Sequence, residues 1–186
     1  MPNRTAKSGD VIVAETRFLR LIDRDGWSFV QRPNATGVVS IVALTDDDEI
    51  LFVEQHRKPV NAATIELPAG LAGDEPGHET EALAQTAARE LLEETGYEAA
   101  RIEFLMGCPT SPGMTDEVAS FFLATGLRRT GPGGGVAGED ITVHVVPLAT
   151  APKFLEDAAR QGRLVAAKAL AGLHLAFMAR ALTPKT

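Results

Sequence analysis

The spacing of apolar and polar residues changes along the chain after residue 67. Up to that point, apolar residues come in short runs rich in Val, Ile and Phe that are separated by turn-forming residues, a pattern that predicts strands. We expect these strands at 11–13, 18–23, 27–31, 36–44, 49–54 and 63–67. Because Arg24-Asp25-Gly26 is a typical turn between the second and third of them, the N-terminal quarter is predicted to be a small antiparallel sheet.

The remainder of the chain alternates between helical and strand patterns. Residues 80–95, which follow a loop, are rich in Ala, Leu, Glu and Gln and precede Gly96, so a helix is expected to end there. Further strands are predicted at 101–105, 118–124 and 141–146, and helices at 152–161 and 165–182. The glycine-rich stretch 128–138 is expected to be a mobile loop, since no helix follows it to form a phosphate cradle. This order predicts an α/β fold, an α/β/α sandwich on a mixed sheet.

Composition and charge narrow the classes of function. The 186 residues suit one ordinary domain, and a net charge of −7 disfavours binding to nucleic acid. No apolar run is long enough to span a membrane, and the single cysteine, Cys108, fits a reducing compartment, so we expect a cytoplasmic protein without a membrane partner. A small phosphate-bearing substrate would be repelled unless cations intervene, which directs attention to clustered carboxylates.

Three glutamates cluster on the helix predicted over 80–95. Glu90, Glu93 and Glu94 stand at positions i, i+3 and i+4, and at about 100° per residue these positions share one face. Like charges so arranged destabilise an isolated helix, so either cations neutralise them or the face is exposed and hydrated. A solvated acidic stripe is the ordinary explanation, and the spacing alone leaves both open.

The residues around these glutamates resemble the second half of the Nudix box, whose family pattern is G-x5-E-x7-R-E-U-x-E-E-x-G-U, with U aliphatic or aromatic. Arg89 through Tyr97 match it at every position, and seven residues separate Glu81 from Arg89, as the pattern requires. The glycine that opens the box by context is Gly70, which makes the loop before Glu81 five residues longer than the pattern. Glu79 therefore competes with Glu81 for the first glutamate position.

Resemblance to the Nudix box implies a magnesium cofactor, which manganese could replace. Glu90, Glu93 and Glu94 would bind the ion directly or through water, and the Ala69 carbonyl would be a backbone ligand. Arg89, one turn before Glu93, is expected to orient these carboxylates through a salt bridge. The implied reaction is hydrolysis of a P–O–P bridge, in which Arg89 and Glu93 are candidate catalytic residues.

From about residue 38 to residue 181 the chain is most similar to the ADP-ribose and nucleotide-sugar pyrophosphatases of this family. Residues 54–57 resemble their Q-x-R segment, residues 66–70 their E-L-P-A-G, and residues 111–117 their S-P-G-x-x-x-E loop. The resemblance implies that Glu117 is the general base, and it places substrate contacts at Arg57, Pro112, Gly113 and Met114. ADP-ribose is the first candidate substrate, with GDP-mannose and other nucleotide sugars as alternatives. A Nudix-fold ligand sensor without catalysis is the alternative from another class.

Two regions follow from this comparison, an N-terminal β-hairpin region over residues 1–37 and a Nudix hydrolase domain over residues 38–186. The aromatic residues Phe18, Trp27 and Phe29 exceed what a small sheet can bury alone, so we expect a homodimer formed through the first region. Trp27 is a candidate for stacking on the substrate base, although packing on its own sheet explains it equally well.

Overall fold

The computed structural model describes residues 9–74, 77–136 and 138–182. Strands in chain order are β1 Asp10–Glu15, β2 Arg20–Arg24, β3 Trp27–Gln31, β4 Gly37–Ala43, β5 Glu49–Arg57, β6 Ala62–Glu66, β7 Ala69–Ala72, β8 Tyr97–Pro109, β9 Val118–Arg129, β10 Thr142–Pro147 and β11 Leu164–Val165. The α-helices are α1 Leu83–Thr95, α2 Ala151–Arg160 and α3 Ala167–Leu182. None of these helices is long and apolar enough to cross a membrane.

The strands form three sheets. The first is the antiparallel β1-β2-β3 sheet that the sequence predicts for the N-terminal region. The other two have four strands each, in the orders β7-β4-β9-β8 and β10-β5-β6-β11. Both are mixed, because β4 runs parallel to β9 and β11 runs parallel to β6.

Strand β4 separates two hydrophobic cores. Its residues Val39, Ile41 and Ala43 pack with Ala87 and Leu91 of α1. The alternate residues Val38 and Val42 pack in the other core, which contains apolar residues of α2 and α3. Since successive side chains of a strand point to opposite faces, this alternation places α1 on one side of the sheets and α2 and α3 on the other. The α/β/α sandwich is thus confirmed, with two mixed sheets in its middle layer.

Several boundaries differ from the sequence-based expectation. Helix α1 begins at Leu83 rather than at residue 80, because Ala82 is extended (φ −71°, ψ 143°). The backbone N–H of Ala82 donates a hydrogen bond to the side-chain oxygen of Gln85. The predicted helix over 165–182 begins later, at Ala167, because residues 164–165 pair with β6. Strand β7 was not predicted, since its sequence of small residues carries no strand signal and only pairing with β4 defines it.

Candidate functional site

Two of the clustered glutamates are packed against strand β7. Glu94 is 5% exposed, and its Oε2 accepts a hydrogen bond of 3.0 Å from the backbone N–H of Ala69. Glu90 lies so close to Gly70 that a Cβ on that glycine would be 1.9 Å from the Glu90 Cδ. The Ala69-Gly70 pair therefore provides both a donor for one carboxylate and the space for the other.

Burial makes the charged forms of these two carboxylates unfavourable. Loss of solvent is the main reason that the pKa of Glu94 is raised to about 8 and that of Glu90 to about 7, and the negative charge of Glu90 contributes to the rise at Glu94. Both groups are hard oxygen donors of the kind that magnesium prefers. Among the described residues no set of three acidic, histidine or cysteine side chains is arranged to hold a metal ion by itself. The donor set fits a cation that also takes ligands from water and substrate phosphate, as magnesium commonly does.

Arg89 forms ion pairs with several glutamates of this site, including Glu93. The Arg89 guanidinium lies 2.9 Å from Glu93, 3.0 Å from Glu90 and 3.4 Å from Glu81. Of the two competing glutamates before the helix, Glu81 thus contacts Arg89, whereas Glu79 accepts a hydrogen bond from the backbone of Gly77. Arg89 holds three carboxylates in register, which is the geometry of an orienting residue.

The α1 glutamates line a cavity of about 450 Å³ that gathers both signs of charge. Its acidic residues are Asp74, Glu90, Glu93, Glu94, Glu117 and Glu139, and its basic residues are Arg32, Arg57 and Lys168. A larger groove of about 600 Å³ lies between β10 and α2, but its lining contains a single carboxylate, Asp157. The smaller cavity is therefore the candidate site for chemistry that needs clustered carboxylates and basic side chains.

Arg57 lies in this cavity and is already paired. Its guanidinium donates to both carboxylate oxygens of Glu66, at 2.7 and 2.9 Å. Burial alone would raise the pKa of Glu66, but hydrogen bonds from Arg57 and Thr64 hold that pKa below its usual value. The pair is thus ionised, and Arg57 presents a fixed positive edge to the cavity.

Glu117 reaches the cavity from the loop over residues 111–117, which runs along strand β3. Trp27 Nε1 donates to the Gly113 carbonyl at 3.2 Å, and the Val30 N–H donates to the Met114 carbonyl at 2.8 Å. At the end of this run, Arg32 donates to Glu117 Oε2 at 3.0 Å. The N-terminal sheet therefore fixes the loop that carries Glu117.

The other predicted substrate contacts lie apart from the carboxylates. The residues that line the cavity do not include Trp27, Pro112, Gly113 or Met114. Trp27 and Met114 are 64% and 66% exposed. Within one chain they form an outer surface of the N-terminal sheet and its neighbouring loop rather than a wall of the carboxylate cavity.

Glu139 is a cavity residue that the sequence analysis missed. It follows the glycine-rich stretch predicted as a mobile loop, of which residues 128–129 belong to β9 and residue 137 lies outside the described residues. The glycines are bound to the end of α1, since Gly134 N–H donates to the Glu94 carbonyl at 2.9 Å and Gly135 N–H to the Glu93 carbonyl at 3.0 Å. The signal available was its place in the acidic pair Glu139-Asp140, just before the strand predicted at 141–146.

Gly133 shows how closely this loop is packed on the helix. Its φ is +70°, and a Cβ there would lie 2.4 Å from the carbonyl carbon of Thr95. An L side chain would meet both an unfavourable backbone conformation and fixed backbone atoms. The loop is thus fitted to the C-terminal end of the helix that bears the glutamates, and it leads from there to Glu139.

Several known proteins are similar in sequence to this chain. Residues 35–167 match the family model of the NUDIX domain. A methanol dehydrogenase activator of Bacillus methanolicus is 39% identical over 114 residues, which are 60% of this chain and 57% of that protein. An ADP-ribose pyrophosphatase of Mycobacterium tuberculosis is 38% identical over 140 residues, which are 74% of this chain and 63% of that protein. The matched segments thus span less than two thirds of either relative.

A solved structure supports the fold. The crystal structure of an ADP compounds hydrolase superimposes with a TM-score of 0.65 at 21% identity, and the alignment covers 94% of both chains. At this identity the likeness shows the fold alone.

Proposed function

Because this chain belongs to the NUDIX domain family, we propose that it is a divalent-cation-dependent hydrolase that cleaves the pyrophosphate of a nucleoside-diphosphate sugar. ADP-ribose is the first candidate substrate, with AMP and ribose 5-phosphate as products. The observation that carries the proposal is a pair of carboxylates, the buried Glu94 and the half-buried Glu90, on one wall of a cavity that is also lined by basic side chains. A binding module without catalysis would have little use for two carboxylates whose ionisation opposes folding.

Magnesium is the cation that we assign to this site, with manganese as a substitute. Glu90, Glu93 and Glu94 would hold it, with the Ala69 carbonyl as a further ligand. When bound, the ion would neutralise charge on the diphosphate and lower the pKa of a coordinated water. Arg89 orients the glutamates through the contacts described above, and Arg57 supplies positive charge for the substrate phosphates.

The family resemblance implies that Glu117 is the general base, and Glu139 is a second candidate for this role. Both carboxylates line the cavity and neither lies on α1. Glu117 accepts a charged hydrogen bond from Arg32, so one of its two carboxylate oxygens is already engaged. Glu139 instead accepts the backbone N–H of Val136. We therefore carry both as candidates for the residue that removes a proton from the attacking water.

The N-terminal region, residues 1–37, is proposed to form a homodimer and to contribute substrate contacts. Its sheet and the turn between β1 and β2 expose apolar side chains: Val11 is 61%, Val13 57%, Phe18 64% and Trp27 64% exposed. Apolar groups concentrated on one small sheet are typical of an interface. In a dimer, Trp27 of one subunit could approach the cavity of the other, which would agree with its distance from the carboxylates of its own chain.

The decisive experiment measures phosphate release by a coupled phosphatase from a panel that contains ADP-ribose, GDP-mannose and other nucleotide sugars. We expect ADP-ribose to be hydrolysed fastest in magnesium and excess chelator to abolish turnover. The Glu94→Gln variant should lose at least about a hundredfold in kcat. GDP-mannose as the preferred substrate would move the assignment to the alternative pyrophosphatase. Binding of a nucleotide sugar without turnover would indicate the ligand sensor, and full activity in chelator would remove the metal from the proposal.

A further inference from the structure

The basic residues of the cavity differ in how they are paired. Arg57 donates two hydrogen bonds to Glu66, and Arg32 donates to Glu117. The third cation that lines the cavity is Lys168. Within the part of the chain that the structure describes, the Lys168 side chain makes no hydrogen bond and no ion pair, and its charge acts on Glu66 only through space.

The backbone of Lys168 is held firmly beside the site. Residues 164–165 pair in parallel with Thr64 and Ile65, and the Ala166 N–H donates to the Ile65 carbonyl at 3.0 Å. Ala169, the next residue, is fully buried in the core. Helix α3 lies so close to the segment leading into β7 that a Cβ on Gly172 would be 2.3 Å from Leu67 Cδ1. The start of α3 is therefore fixed, and the lysine side chain is the part left free to move.

From these observations we infer that Lys168 binds an anionic oxygen of the substrate diphosphate and thereby sets the affinity for substrate. This inference rests on the proposed function. Arg57 and Arg32 are each occupied by a carboxylate of the protein, so a phosphate would have to share them. Lys168 presents three donors on a flexible stem without a protein partner to displace, and it can follow the phosphate as the reaction proceeds. Contact that persists through the reaction stabilises bound substrate and transition state alike, so it affects KM rather than kcat.

The test compares Lys168→Met, which keeps the aliphatic stem, with Lys168→Arg and with the matched control Lys153→Met. Lys153 is an exposed lysine of α2 that pairs with Asp157 outside the carboxylate cavity. A hydrogen bond to a charged group supports an expected rise in KM of roughly 10- to 100-fold for Lys168→Met, with kcat within about threefold of wild type. We expect Lys168→Arg to restore KM to within about fivefold, since it keeps the charge, and Lys153→Met to change neither constant.

The inference is overturned if Lys168→Met leaves KM within about twofold of wild type, or if it lowers kcat with KM unchanged. Melting temperatures of the variants verify that they are folded. Failure of the proposed function is distinguishable, because the wild-type protein would then hydrolyse no nucleotide sugar. In that event the inference is tested by calorimetric titration of ADP into each protein in the presence of magnesium. Binding at least tenfold weaker in Lys168→Met supports the inference, and equal binding or no binding to wild type contradicts it.

Discussion

Replacing Glu94 by glutamine removes a buried negative charge and preserves the shape of the side chain. The glutamine carbonyl can still accept the hydrogen bond that Ala69 N–H donates to Glu94. In the absence of metal, ionised Glu94 is opposed by its own burial and by the charge of Glu90. We therefore expect Glu94→Gln to stabilise the metal-free protein while it inactivates the enzyme, a combination expected of a site in which function opposes stability.

The size of the effect follows from the raised pKa of Glu94. The pKa of Glu94 is about 8 in the folded protein, against 4.5 for an unperturbed glutamate. Between these two pKa values the folded state holds a proton that the unfolded state has lost. The stability that this proton confers is fully present below pH 4.5 and is lost as the pH rises through about 8. At 1.36 kcal/mol per pKa unit, the limit is about 5 kcal/mol. The gain from Glu94→Gln should be about 2 to 5 kcal/mol at pH 8.5 and at most about 1 kcal/mol at pH 5.

Urea unfolding of wild type and Glu94→Gln in excess chelator, at pH 5 and pH 8.5, measures this difference directly. For a chain of this length, 2 kcal/mol corresponds to a rise in melting temperature of roughly 4 °C or more. Magnesium should raise the melting temperature of wild type at pH 8.5 and have a much smaller effect on the variant. Equal or lower stability of Glu94→Gln at pH 8.5 in chelator would refute the reasoning, since Glu94 would then be no burden to the metal-free fold. A gain that is the same at both pH values would attribute the effect to packing instead.

Three other predictions concern the base, the dimer and the glycine-rich loop. If Glu117 is the general base, Glu117→Gln should lower kcat by roughly 10²- to 10⁴-fold and remove the acidic limb of the pH–rate profile. If Glu139 is the base, that loss should appear in Glu139→Gln instead, and kcat within about threefold of wild type excludes whichever residue shows it. Deleting residues up to Gln31 should convert a dimer into a monomer with weaker substrate binding, and a wild type that sediments as a monomer at micromolar concentration would contradict this. Gly133→Ala should destabilise the protein by at least about 2 kcal/mol, judged by urea unfolding. Gly138→Ala, which has a positive φ but open space for a Cβ, should cost less, and equal losses would show that contact with α1 is unimportant.

Much of this protein is determined by local sequence. The apolar runs of β4, β5 and β9 predict buried strands, and β4 is buried on both of its faces. The spacing of Glu90, Glu93 and Glu94 places three carboxylates on one helix face, and Gly96 ends that helix as expected. Each of these features depends on residues that are close together in the sequence, so it can be deduced without the rest of the chain.

Tertiary structure decided what surrounds those glutamates. Strand β7 exists because β4 provides its hydrogen-bonding partner, and it brings the Ala69 N–H to Glu94. Glu139 and Lys168, which are far from α1 in the sequence, enter the cavity because a loop binds to the end of α1 and because β11 pairs with β6. Sequence spacing cannot reveal such contacts, since they depend on backbone hydrogen bonds between distant segments that every residue except proline can form.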